Sequence, residues 1–130
     1  MKDFAWILRK LKNNNIGVYV VPGSHDFSPS GKSMIDVLEK AGLLKNVMKI
    51  KDNKLLFTLD KTGVKITGIL GLRSGLDKEY FKTLDFSDLE KEPGFKIFLF
   101  HCPLEEHKPK DLEKVDSPSI SSFPKNFDYY

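Results

Sequence analysis

The first apolar positions of the chain are Phe4, Ile7, Leu8 and Leu11, the i, i+3, i+4, i+7 spacing of one helical face, with Lys2, Arg9, Lys10 and Lys12 on the remainder. The run Asn13, Asn14, Asn15 ends that predicted helix. After Gly17 the pattern changes to "VYVV", a continuous β-branched and aromatic run that suits a strand buried on both faces, and therefore a sheet covered by helices. Pro22 and Gly23 stop the strand. A second helix is expected from about Lys32 to Ala41, capped by Ser30 or its neighbours. Met34, Ile35, Val37 and Leu38 form its apolar side, and Gly42 stands in the usual C-terminal position.

Further along, "VMKI" and "LLFTL" flank Lys51-Asp52-Asn53-Lys54, and Asp60-Lys61-Thr62-Gly63 leads into "VKITGILGL". These read as antiparallel strands joined by tight turns. Leu76 to Leu89 carries mixed helical spacing, fitting one helix or two short ones. Pro93-Gly94 introduces "FKIFLFH", another buried strand, which ends at His101. From Cys102 to Lys125 the chain is polar and broken by Pro103, Pro109, Pro118 and Pro124, as expected of an extended loop with at most short helical turns. The order of elements predicts an α/β fold, a layered sandwich of mixed β-sheet flanked by helices, in which two buried strands each lead to a histidine.

Composition narrows this picture only slightly. At 130 residues the length is that of one domain, and a hydrophobic fraction of 40% beside 30% charged residues is that of a soluble globular protein. No apolar run approaches a membrane span and no secretion signal is read, so the expectation is a cytoplasmic protein with no membrane partner. The single cysteine, Cys102, agrees with a reducing compartment. A net charge of +3 is a weak pull toward polyanions.

Three chemistries compete for the stretch "VPGSHDFSPSGKS" and its counterpart near His101. A P-loop ending in Gly31-Lys32-Ser33 requires glycine at position 26, where the chain has Asp26, a carboxylate that repels the anion such a loop cradles. A Cys102 nucleophile needs a base within reach, yet the adjacent His101 points to the opposite face on a strand. The third chemistry takes His25 and His101 together. Both follow buried strands, and a parallel sheet would set them on one edge, where ligands bind in open α/β sheets and imidazoles ligate divalent metals or protonate leaving groups. His107, within "EEHKPK", reads as a solvated loop residue.

The residues around these histidines carry a resemblance. "VVPGSHDFSPSGKSMIDVLEKAGLL" resembles the third motif region of calcineurin-like metallophosphoesterases, usually Gly-Asn-His-Asp or Glu, in the form found in SbcD-type DNA double-strand-break repair exonucleases. "IFLFHCPLEE" resembles the fourth motif, a strand ending in a metal-binding histidine, and "FPKNFDYY" the lead-in to the fifth, Gly-His-x-His.

The resemblance implies that His25 stabilises the transition state or protonates the leaving oxygen, with Asp26 orienting it. It makes His101 a ligand in a two-manganese (Mn²⁺) site, and sets Ser24 at the position of the family's metal-binding asparagine. It implies phosphodiester hydrolysis by a metal-bound hydroxide, DNA as substrate, an SMC-like ATPase subunit as partner, and a homodimer among the assemblies it allows. The Asp-x-His of a first strand and the Gly-Asp pair of the bridging carboxylate are absent, so residues 1–130 are expected to be the central part of a single metallophosphoesterase domain, with little or no nuclease activity alone. The alternatives are a metallophosphoesterase acting on non-DNA phosphoesters and a non-catalytic DNA-binding or scaffold module.

Overall fold

The computed structural model describes residues 2–23, 33–71 and 77–130. Helix α1 (Lys2–Asn13) leads to β1 (Tyr19–Val20), α2 (Met34–Lys40), β2 (Lys45–Asn46), β3 (Lys49–Lys51), β4 (Lys54–Leu56), β5 (Thr58–Leu59) and β6 (Lys65–Ile69). Helices α3 (Asp77–Thr83) and α4 (Ser87–Lys91) precede β7 (Lys96–Phe100), after which the chain runs through short 3-10 turns to its end. The fold is mixed α/β, with small mixed sheets and helices. Among the described residues no helix is long and apolar enough to cross a membrane.

The opening helix forms where its periodicity predicts, but its apolar face is only partly covered. Leu8 is buried, whereas Phe4 and Ile7 on the same apolar face are 43% and 47% exposed. Periodicity fixes which positions share a face and cannot say what lies opposite. In α2 the cap is Ser33, whose hydroxyl accepts from the Asp36 N–H while the Asp36 carboxylate accepts from the Ser33 N–H, a reciprocal capping box. Its expected start near Ser30 and Lys32 lies outside the described residues. The far end closes as Gly42 donates to the carbonyl of Glu39 and Leu43 to that of Leu38, with Gly42 at φ 71°.

β3 and β4 pair antiparallel across Asp52 and Asn53, both at positive φ as a two-residue hairpin turn requires. β5 and β6 also pair antiparallel, across a turn in which the Asp60 carboxylate accepts from the Thr62 N–H and hydroxyl. Instead of one strand over "LLFTL", the chain breaks at Phe57 into β4 and β5. β1 is shorter and less buried than its composition predicts, with Val18 to Val21 all half-buried. It pairs in parallel with β2, a strand absent from the sequence-based expectation.

β6 and β7 pair in parallel from Lys65–Lys96 to Ile69–Phe100 and form the centre of the larger core. Phe98, wholly buried, meets the rings of Phe86, Phe100, Phe123 and Phe127, and Leu55, Ile69, Phe81, Leu84 and Leu89 complete the buried cluster. A smaller core of Leu8, Leu38 and Leu44 joins α1, α2 and the approach to β2. On the far side of β7, Phe98 donates to the carbonyl of Tyr129 at 2.9 Å, and Ile97 and Tyr129 form a parallel bridge.

Candidate functional site

The two small sheet pieces are tied at their carboxyl ends. The N–H of Gly71, just past β6, donates to the carbonyl of Pro22, just past β1, at 3.0 Å. Val21 lies against Gly68, so the two segments advance side by side. A Cβ on Gly68 would stand 2.5 Å from the Leu99 carbonyl oxygen and 2.6 Å from Val21 Cγ1. A Cβ on Gly71 would stand 2.6 Å from His101 Cδ2. Both glycines are buried, and the missing side chains are what let β1, β6 and β7 close up here.

Of the residues expected to form the site, His101 is exposed immediately after β7, with its ring against Gly71. Ser24, His25 and Asp26 lie outside the described residues, as do Gly31 and Lys32 of the rejected P-loop. The described chain nevertheless reaches Gly23, one bond from that stretch and next to the Pro22–Gly71 tie.

His101 also opens onto a recess of about 520 Å³ whose wall includes Phe100, Pro103, Leu104, Pro109 and Leu112. His107 lines the same recess. It is exposed, as expected of a solvated loop residue, yet the 3-10 turn Glu105–His107 brings it to the recess that His101 also lines. The turn is fixed at both ends: Glu105 donates to the carbonyl of Pro118 at 3.1 Å, and the Glu106 carboxylate accepts from the Ile120 N–H at 3.1 Å and from the Ser119 hydroxyl. Those bonds, the Ser119 hydroxyl foremost, hold the Glu106 carboxyl below its usual range. The only local hint was the density of prolines, which make such a loop rigid without saying where it folds.

The described residues alone do not make a two-metal centre. Among them no group of three or more His, Cys, Asp or Glu side chains gathers as metal ligands would. A pair of manganese ions needs several nitrogen and oxygen donors and a shared carboxylate, so it does not fit on His101 and its described neighbours. What the edge offers is one accessible imidazole, a second imidazole lining the same recess, and Gly23, the last described residue before Ser24 and His25. No protein-family model matches the sequence.

Proposed function

We propose that this chain is the central segment of a DNA phosphodiesterase domain of the calcineurin-like metallophosphoesterase type, acting at the edge where β1, β6 and β7 end. His25 donates a proton to the leaving oxygen and Asp26 orients it; His101 and Ser24 are the metal-facing positions. An imidazole is suited to that proton because its ordinary pKa lies near neutrality. The observation that carries this reading is the tie between Pro22 and Gly71 with His101 packed on Gly71. It sets Gly23, from which the chain continues to Ser24 and His25, near the strand end that bears His101.

Two features support it further. The edge is at the carboxyl ends of parallel strands, where open α/β sheets bind their ligands. The segment around Tyr129, likened to the lead-in of a further histidine motif, lies parallel to β7 and so heads toward the same edge. DNA is favoured as substrate by the form of the His25 motif. The recess beside His101, with its partly apolar wall, gives the flat face of a nucleobase a place to lie.

The test uses paramagnetic broadening by Mn²⁺, which needs no turnover. Titration should first broaden the signals of His101, Gly71 and Gly23, and His101→Ala should remove the effect. With the Asp-x-His and Gly-Asp elements supplied by a longer chain, Mn²⁺-dependent DNA cleavage should appear and be abolished by His25→Ala. Broadening centred elsewhere, or cleavage that survives His25→Ala, rejects the assignment.

A further inference from the structure

A second cleft lies at the opposite, amino-terminal end of β1 and β2, away from His101. It has a volume of about 470 Å³ and is bordered by residues entering β1 and β2 and by the turn after β5. Its apolar lining includes Ile16, Leu43 and the ring of Tyr19, which folds back over Gly17. The Tyr19 hydroxyl donates to the Asp60 carboxylate, which fixes the ring.

Lys12, Lys45, Lys49 and Lys61 line this cleft together with Glu39 and Asp60. The acidic groups are already committed. Glu39 accepts from Lys49 at 3.0 Å, and Asp60 accepts from Tyr19 and from Thr62, whose hydroxyl is 2.6 Å away. Lys61 donates to the Asn15 carbonyl. The ammonium groups of Lys12 and Lys45, by contrast, make no hydrogen bond or ion pair with any described residue, although the backbone of Lys45 donates to the Val18 carbonyl. The Lys12 ammonium stands over the end of α2, 3.0 Å from where a Cβ on Gly42 would lie, and Lys45 is the register partner of Tyr19. Two ammonium groups with no described side-chain partner therefore line the same cleft as an aromatic ring and two aliphatic side chains, in a space of ordinary small-ligand size.

We propose that this cleft binds a phosphorylated small molecule of mononucleotide size, its phosphate on Lys12 and Lys45 and its apolar body on Tyr19, Ile16 and Leu43. A phosphate makes charge-assisted bonds to both ammonium groups. A long polyanion is the poorer fit, because Glu39 and Asp60 stand among the lysines and would repel successive phosphates. The proposal is independent of the His101 edge and of any reaction there.

Calorimetry and amide NMR on the 130-residue chain, with adenosine monophosphate and inorganic phosphate as probes at low salt, test it. Saturable binding of the nucleotide is expected, tighter than that of inorganic phosphate, with shifts centred on Gly17, Tyr19 and Leu43 to Lys45. Affinity should fall by about tenfold or more in the Lys12→Glu/Lys45→Glu double variant, the loss of two charge-assisted contacts. Both lysines are exposed, so the fold should persist, and Lys12→Ala provides a milder second variant. No saturable binding, shifts elsewhere, or affinity unchanged in both variants overturns the proposal. So does tighter binding, per phosphate, of a single-stranded oligonucleotide.

Discussion

Gly71 donates its N–H to the carbonyl oxygen of Pro22 at 3.0 Å, and this bond joins the segment just past β1, which precedes His25 in the sequence, to the segment just past β6, the strand paired with the one that leads to His101. Gly71 serves because its missing side chain leaves room for the His101 ring, whose Cδ2 would be 2.6 Å from an added Cβ. Replacement by alanine must push either the backbone or the imidazole aside. Gly71→Ala is expected to cost about 1–3 kcal/mol, the usual range for overpacking a buried site. It should also shift the His101 ring signals in NMR. A variant as stable as the parent, with unmoved His101 resonances, would show that the edge is looser than its contacts imply.

Among the described residues Lys96 is the one buried lysine, at 3% exposure, in the first position of β7. Its ammonium donates to the carbonyls of Leu89 at 3.0 Å and Glu90 at 3.2 Å in the last turn of α4, and lies 5.1 Å from the centre of the Phe127 ring. It supplies donors that the end of a helix lacks, in the position where a cation also complements the helix dipole. Lys96→Met keeps most of the volume but strands those carbonyls. Urea denaturation should show a loss of about 2 kcal/mol, as for a charge-assisted hydrogen bond. Equal or greater stability would mean that the cost of burying the ammonium outweighs its bonds.

The contrast between Lys96 and its strand indicates what sequence reveals and what it hides. "FKIFLFH" declares a buried strand through its apolar residues, and β7 forms there, but nothing local announces that its lysine turns inward to cap a helix. Turns were equally legible: Asp52-Asn53 and Gly42 are residues that tolerate positive φ, and they occupy such conformations. β2 and its pairing with β1 were not, because two residues are too few to show a period and the pairing depends on a contact between Tyr19 and Lys45 far apart in sequence. At the candidate site, His101 could be anticipated as the end of a buried strand. His107 could not, since it reaches the recess only through a proline-bounded turn held by Glu106 and Ser119.

Phe98 concentrates the larger core. It is wholly buried and its ring meets Phe86 and Phe127 edge-on, each at 83° between planes, with Phe123 5.4 Å away. Truncation removes contacts to both α4's approach and the C-terminal segment, so the cavity cannot close by moving one neighbour. Phe98→Ala should lose about 3–5 kcal/mol and, in a domain of ordinary stability, leave much of the population unfolded at 37 °C. Phe98→Leu should recover a substantial part of that loss. Comparable stability for Phe98→Ala and the parent in thermal melts would contradict the packing described.

Tyr19 and Asp60 connect β1 to the turn after β5, and together they predict how stability changes at both extremes of pH. Hydrogen bonds from Thr62, and then from Tyr19, hold the Asp60 carboxyl well below its ordinary value of 3.8. Its contribution is therefore fully present above that ordinary value and is lost as pH falls toward the lowered one. Burial, and then the bond to Asp60, pushes the Tyr19 hydroxyl from 10.0 up to about 12. That contribution is complete below 10.0 and is lost as pH rises toward about 12. Thermal melts across the pH range should show Tyr19→Phe flattening the alkaline decline. Asp60→Asn should flatten the acid decline while leaving part of the alkaline one, because burial is the larger cause of the Tyr19 shift. Melting curves for Tyr19→Phe that fall as steeply as the parent between pH 10.0 and about 12 would place the alkaline sensitivity in other groups.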